Sequence, residues 1–275
     1  MSYATLMVHL QLGGSNANLL SAAGNLGERF QASVIGVAAC QPMQVTYTEG
    51  YMAGDVFKRD RDERSNEMRE AEAEFRAAFR GRANTLEWRS TMTVASASEW
   101  VANEARCADL VLIGVTTGSM FDVGRQVNIG SFIMQAGRPV LVMPSVAQTP
   151  LLQHAMIAWK DTRETRRAVL DALPLLQRAT RVSIVEAAAK EDMADARQHV
   201  ADVAAWLGRH GIAADSEAVH RSGDDAKQLD GLAQERGADL VVAGAYGHSR
   251  VREWALGGVT RNLLLHTHRC SLVSH

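Results

Sequence analysis

The stretch GADLVVAG, residues 237–244, decides the fold, because CADLVLIG at residues 107–114 says nearly the same thing earlier in the chain. The likeness extends in both directions. Downstream, AGRPVLVMP (136–144) answers THRCSLVSH (267–275); upstream, SEWVANEAR (98–106) answers KQLDGLAQER (227–236). Matched pieces keep an almost constant spacing. The 275 residues therefore read as one unit used twice, not as a short solenoid repeat.

Each unit alternates strand and helix. Apolar runs at Thr5–Leu10, Ala32–Ala39, Leu86–Ser90, Leu110–Gly114 and Val140–Met143 are predicted strands of the first unit. Those at His154–Trp159, Val182–Glu186, Ser216–His220, Leu240–Gly244 and Ser271–Ser274 are their counterparts. Several runs are apolar throughout, the signature of strands covered on both faces in a parallel sheet. Met68, Ala71, Phe75, Ala78 and Phe79 make a helical stripe, as do Met193, Ala196, Val200, Val203 and Leu207. The charges of KRDRDERSNEMRE (58–70) alternate in sign and read as a solvated helix face. The expected fold is α/β: two tandem doubly wound, five-stranded parallel-sheet domains of Rossmann-like form related by pseudo-twofold symmetry. Their expected bounds are 1–146 and 150–275, with VAQTPLLQ (146–153) as the linker.

Bulk composition excludes some partners. A net charge of −2 gives no surplus of Lys and Arg to hold nucleic acid or an anionic membrane. Three scattered cysteines without a C-x-x-C fit a reduced cytoplasmic setting. The opening MSYATLMVHL has neither a basic n-region nor a small-residue cleavage site, so no secretory signal is expected there. No apolar run approaches the ~18 residues of a membrane span.

GAYGHSRVREWALGGVT, residues 244–260, follows the strand at Leu240–Gly244 and leads into VTRNLLLH. Glycines let a ligand approach the main chain. The first turn of a helix offers free N–H groups and a dipole that favours anions. A phosphate is the expected occupant, with Arg250 and Arg252 as counter-charges. The alternative is that the glycines only punctuate strand and helix ends. The spacing is neither G-x-G-x-x-G nor G-x-x-x-x-G-K-[ST], which disfavours a dinucleotide fold and a Walker-type NTPase.

Gly244 and Gly247 form a G-x-x-G; after nine intervening residues come Gly257 and Gly258, then Val259 and Thr260. This pattern, with ADLVVAGAYG, the closing strand and the duplication, resembles the nucleotide loop of the universal stress proteins over the whole chain. The resemblance implies ATP, or ADP or AMP, bound at the strand ends of the second half. It implies Gly244, Gly247, His248, Ser249, Arg250, Gly257, Gly258, Val259 and Thr260 around the phosphates. Ala158 and the end of the second strand, near Val185 and Glu186, then face the base; Trp159 either flanks the adenine or packs, and Lys160 and Asp161 lie beside the nucleotide, with Lys160 alternatively pointing into solvent. Two positions depart from the family pattern. Gly258 stands where a Ser or Thr is usual, and Lys160 stands where the first strand usually ends in an acidic residue. The second change is expected to weaken Mg²⁺ binding, with Lys160 taking over part of the charge neutralisation.

The first half reads differently. After Gly114 its glycines are Gly118, Gly124 and Gly130, the G-x-x-G step is missing, and Gln126 stands where the last loop glycine is expected. Gly130-Ser131 lies too close to the closing strand to restore the ending. The first half is thus expected to be a degenerate site and a built-in dimer partner, with PVLVM and CSLVS meeting about a pseudo-twofold axis. A homodimer and an unidentified regulatory protein are further expected partners.

Catalytic machinery is not evident. No G-x-S-x-G is present, and His248-Ser249 are adjacent residues ill placed to act on each other. His266, His268, Cys270 and His275 lack metal-site spacing, and no H-E-x-x-H occurs. LGGSN (12–16) reads as the turn opening the first helix, and Asp224 or Asp225 as a helix N-cap. The expected function is a cytoplasmic stress-response regulator that binds an adenine nucleotide in its second half. The alternatives are a slow ATPase and a nucleotide-free dimerising scaffold.

Overall fold

A computed structural model describes residues 2–43, 54–115, 123–144, 152–223, 225–245 and 269–275. The described chain runs β1 (Thr5–His9), α1 (Ala17–Phe30), β2 (Ser33–Cys40), α2 (Gly54–Ala78), β3 (Leu86–Met92), α3 (Ala97–Glu104), β4 (Leu110–Gly114), α4 (Ile129–Ala136) and β5 (Val140–Met143). It continues through β6 (His154–Trp159), α5 (Arg163–Leu176), β7 (Arg181–Ala188), α6 (Met193–Arg209), β8 (Ala214–His220), α7 (Asp225–Glu235), β9 (Leu240–Gly244) and β10 (Cys270–Ser274). All ten predicted strands form, within one or two residues of their predicted ends. The expected linker overlaps residues 146–151, which lie outside the described residues.

Two compact units result, one of Tyr3–Ala136 and one holding Gly137–His275 with the first two residues. In the amino-terminal unit the order is β3-β2-β1-β4, all parallel. In the carboxy-terminal unit β8-β7-β6-β9-β10 run parallel, and β5 closes that sheet antiparallel to β10. The two parallel arrays are α/β and doubly wound, because the helices linking parallel strands must cross over the sheet faces.

The pairing of β5 with β10 is self-complementary. In the repeat alignment Leu141 corresponds to Leu272, and those two residues face each other. Val142 faces Ser271 and Val140 faces Val273. Exchanging the two repeats returns the same pairs, so the strand pair has a local two-fold through Leu141 and Leu272. PVLVM and CSLVS meet as the duplication led one to expect.

Burial explains why the two copies keep ADL. Leu110, Val111 and Leu112 are buried in β4, as are Leu240, Val241 and Val242 in β9. The preceding acidic residues have a local task. The Asp109 carboxylate accepts the N–H groups of Ala4 and Thr5, and Asp239 accepts those of Gln153 and His154. Each aspartate satisfies the main chain where the first strand of its unit begins, which buried backbone groups require.

The charge run of α2 departs from the sequence reading. Ala71, Phe75 and Phe79 are buried as predicted, but so are Asp60 (7% exposed) and Arg64 (5%). The Arg64 Nε lies 2.8 Å from both Asp60 oxygens, and Asp60 also accepts the Met43 N–H at 2.9 Å. Alternating signs placed an i, i+4 pair on the inward side of the helix, where mutual neutralisation lets charge be buried.

Candidate functional site

In an open α/β sheet, ligands bind beyond the carboxyl ends of the strands, where strand order reverses. In the carboxy-terminal unit that point lies between β6 and β9. The chain moves outward from β6 through β7 to β8, then returns to β9 on the other side. Ala158, Trp159, Lys160 and Asp161 end β6, Val185 and Glu186 lie on β7, and Gly244 ends β9. The structure thus brings these predicted residues to one end of one sheet. Gly247, His248, Ser249, Arg250, Gly257, Gly258, Val259 and Thr260 lie outside the described residues, as do Arg252, Asp224, His266 and His268.

The side chains at this end divide between the two sheet faces. Ala158, Val185 and Ala243 are in register across β7, β6 and β9 and join a buried apolar cluster with Leu229 and Ala233 of α7. Their side chains are part of the core, so toward a ligand they offer main chain. Trp159 and Glu186 are register partners on the opposite face. Trp159 is 9% exposed, and its buried indole Nε1 has no hydrogen-bond partner among the described residues. Glu186 bonds His199 Nδ1 of α6 at 3.3 Å. Burial raises the Glu186 pKa above the usual carboxylate range, opposed by His199 and Lys160.

The turn between β6 and α5 is three residues long. Lys160 and Asp161 are exposed. Asp161 is held by Arg166 at 2.6 Å, and the Thr162 hydroxyl accepts the Thr165 N–H to cap α5. This cap explains the sequence KDTRE locally: a threonine just before the helix satisfies one orphan donor of its first turn. Gly244 meets the same turn. A Cβ added there would lie 2.4 Å from the Thr165 N and 2.7 Å from the Glu164 carbonyl carbon. Its glycine is demanded by the close approach of α5; its φ is not in the left-handed region, so conformational freedom is not what requires it.

Among the described residues no group of three or more His, Cys, Asp or Glu side chains is placed to hold a metal ion. At the end of β6 the cation Lys160 stands forward and the Asp161 carboxylate is engaged by Arg166, so the side chains present there do not make a Mg²⁺ ligand set. Cys270 is buried on β10 beside Met143, and His275 contacts the Ala245 carbonyl. Both have local packing roles.

The corresponding end of the amino-terminal unit is filled by its own chain. Along α2, Asp60 reaches Met43 after β2, Glu67 pairs with Arg125 after β4 at 2.7 Å, and Glu74 accepts from Asn16 after β1 at 3.1 Å. Gly124 packs against the Arg64 guanidinium and returns its carbonyl to the Gln41 N–H. Gly130 and Ser131 lie in the first turn of α4, and the Asn128 side chain accepts the Ser131 N–H at 2.8 Å. LGGSN forms the turn before α1, with Gly13 at φ 68° and the Asn16 carboxamide accepting the Gln11 N–H.

Residues 140–273 match the model of the universal stress protein family. That span begins at β5 and ends in β10, the two strands that pair about the local two-fold. No curated protein matches the sequence. Among solved structures, a universal stress protein from Archaeoglobus fulgidus DSM 4304 is similar over 98% of this chain and 95% of its own, with 13% identity and a TM-score of 0.76. A putative universal stress protein from Pseudomonas aeruginosa UCBPP-PA14 is similar over 99% and 93%, with 13% identity and a TM-score of 0.63. The cytoplasmic domain of a prokaryotic cation chloride cotransporter is similar over 98% and 95%, with 12% identity and a TM-score of 0.57. Residues 140–273 are therefore a universal stress protein domain, in a chain whose fold is that of whole-length proteins bearing the same family name.

Proposed function

We propose that the carboxy-terminal unit binds an adenine nucleotide, ATP or its ADP or AMP relative, outside the ends of β6, β7 and β9. Occupancy there regulates the protein's association with partners in a cytoplasmic stress response. The observation that carries the reading is the convergence of Trp159, Lys160, Val185 and Gly244 at the strand-reversal point of this unit. In the amino-terminal unit α2 and Asn128 engage loop groups at the sheet end, while the buried His9 Nε2 and Arg64 Nη1 have no partner among the described residues. In the carboxy-terminal unit Trp159 Nε1 has no partner among the described residues and Lys160 stands exposed at the reversal point. One site per chain follows, with the amino-terminal unit as its structural partner.

The glycine loop 244–260 supports phosphate binding through main-chain N–H groups, as argued from its spacing. Lys160 supplies positive charge where a metal would otherwise neutralise phosphate, so Mg²⁺ is not required for affinity. No helix among the described residues is long and apolar enough to cross a membrane. Regulation by binding is favoured over catalysis because no described carboxylate and metal set for phosphoryl transfer stands at this end. The fold does not choose between these roles, since one fold hosts many functions.

The test is the small molecule carried by the purified protein. Mass spectrometry of the denatured supernatant, followed by calorimetric titration with ATP, ADP and AMP, is expected to find one adenine nucleotide per chain. A protein that carries none and binds none is a scaffold. Steady release of ADP well above a Gly247→Asp control makes it an ATPase.

A further inference from the structure

Gly244 ends β9, and Ala245 follows it as the chain enters the glycine-rich stretch. Ala245 is fully buried, and both of its main-chain groups are held. Its N–H donates to the Ser274 carbonyl at 2.9 Å, one step beyond the Gly244–Ser274 register pair. Its carbonyl is bonded by the His275 Nδ1 at 3.2 Å. In a continuing parallel ladder that carbonyl would take the next main-chain N–H of the neighbouring strand. Here an imidazole reaches back to supply the bond. A carbonyl only accepts, so Nδ1 carries the proton.

The same corner is tied to α5. The Ser274 hydroxyl donates to the Asp171 carboxylate at 2.9 Å, and Asp171 lies 3.7 Å from the Arg167 guanidinium. Arg167 in turn donates to the Gly137 carbonyl, just before β5, at 3.2 Å. At Gly244 the main chain of Thr165 leaves no space for a side chain. Helix α5 and strand β10 thus grip the point where the chain leaves β9, and β10 is itself paired with β5 about the local two-fold.

We infer that Ser274 and His275, with Asp171 behind them, are positioning residues for the ligand site. They fix Ala245 and so the direction in which the glycine-rich stretch departs from the sheet. This deepens the adenine-nucleotide reading and rests on it. A ligand held by main-chain N–H groups binds best when those groups are aimed beforehand, because ordering a loop on binding costs affinity. The coupling is reciprocal, so a bound nucleotide steadies β10 and, through it, the β5–β10 pair. Occupancy is then felt at the self-complementary strand pair, away from the crevice.

The experiment measures calorimetric affinity for ATP, ADP and AMP. It also follows amide hydrogen exchange of Val140–Met143 and Cys270–Ser274 with and without saturating nucleotide. The wild type is compared with His275→Ala, His275→Asn and Asp171→Ala, each checked for a native melting transition. Should Asp171→Ala not fold, Ser274→Ala replaces it and removes only the hydroxyl. Asparagine carries its Nδ2 donor where the imidazole carries Nδ1, so His275→Asn is the rescue. His275→Ala should lose roughly fivefold in affinity, Asp171→Ala roughly threefold, and His275→Asn should stay within about twofold of the wild type. Nucleotide should slow exchange in both strands of the wild type, and by less in His275→Ala at equal occupancy. Unchanged affinity in His275→Ala, an asparagine variant no better than alanine, or strand exchange indifferent to nucleotide overturns the positioning role while leaving nucleotide binding intact. A wild type that binds none of the three nucleotides overturns the nucleotide reading, and this role with it.

Discussion

The carboxyl ends of the two sheets are built on matching strands yet finish in opposite ways. In the amino-terminal unit seven residues, 10–16, separate β1 from α1, and α2 lays Asp60, Arg64, Glu67 and Glu74 across the loops that follow β1, β2 and β4. In the carboxy-terminal unit three residues separate β6 from α5, and Gly244 is sealed against the first turn of that helix. Around its counterpart Gly114 no atom of the described residues lies within 4 Å of an added Cβ. The strand equivalent of Ala158 is His9, buried and with no partner for its Nε2 among the described residues. A duplicated sheet preserves its core and its starting aspartates, while the carboxyl ends of its strands diverge. Only packing constrains the core, whereas whatever fills the crevice must satisfy that end.

The strongest way to break this contrast is to empty the amino-terminal crevice. Asp60→Ala leaves the Arg64 guanidinium buried without its counter-charge, and about 3–5 kcal/mol of stability should be lost in urea unfolding. A loss under 1 kcal/mol would show that the α2 stripe is a solvated face after all. Arg64 beside Asp60 holds its carboxyl below the usual range, opposed by burial, so this contribution is present above about pH 4 and is lost on further acidification.

His9 sharpens the comparison through pH. Burial lowers its pKa from 6.5 to about 4. Between those values the unfolded chain binds a proton that the folded chain refuses, so stability is complete above pH 6.5 and falls as the pH drops toward 4. The expected loss is about 3 kcal/mol, and His9→Leu should flatten that part of the stability profile. Ala158 gives the other unit no such slope.

Next comes the paired glycine test. Gly244→Ala forces a Cβ against the backbone of Thr165 and should cost about 2 kcal/mol. Gly114→Ala should stay within about 0.5 kcal/mol of wild type. Similar values for the two would remove the tight seal from the account. The smallest effect is expected at Lys160. Lys160→Ala should weaken ATP binding by about 1 kcal/mol, roughly fivefold, and reduce its salt dependence in calorimetric titrations.

Much of the site was legible from residue order. The strand ends at Trp159, Val185 and Gly244 could be placed because a parallel strand is a short apolar run and its carboxyl end follows from chain direction. What such a run does not reveal is which face each side chain takes. The sequence puts Ala158, Val185 and Trp159 at the same strand ends, but the side chains of Ala158 and Val185 join the α7 core while Trp159 lies on the other face with Glu186. The partnership of Glu186 with His199 spans a helix crossing and had no local signal beyond a lone carboxylate closing the run VSIV.

The order of residues alone determined the duplication, the α/β alternation and the self-matching strand pair, because hydrophobic period and repeat spacing are local properties that any fold of this chain must respect. Three-dimensional packing decided which polar groups are buried at the strand ends. The burial of Asp60 and Arg64, the sealing of Gly244 and the stranded N–H of Trp159 arise from groups far apart in the chain, whose desolvation is settled only when helices dock on the sheet.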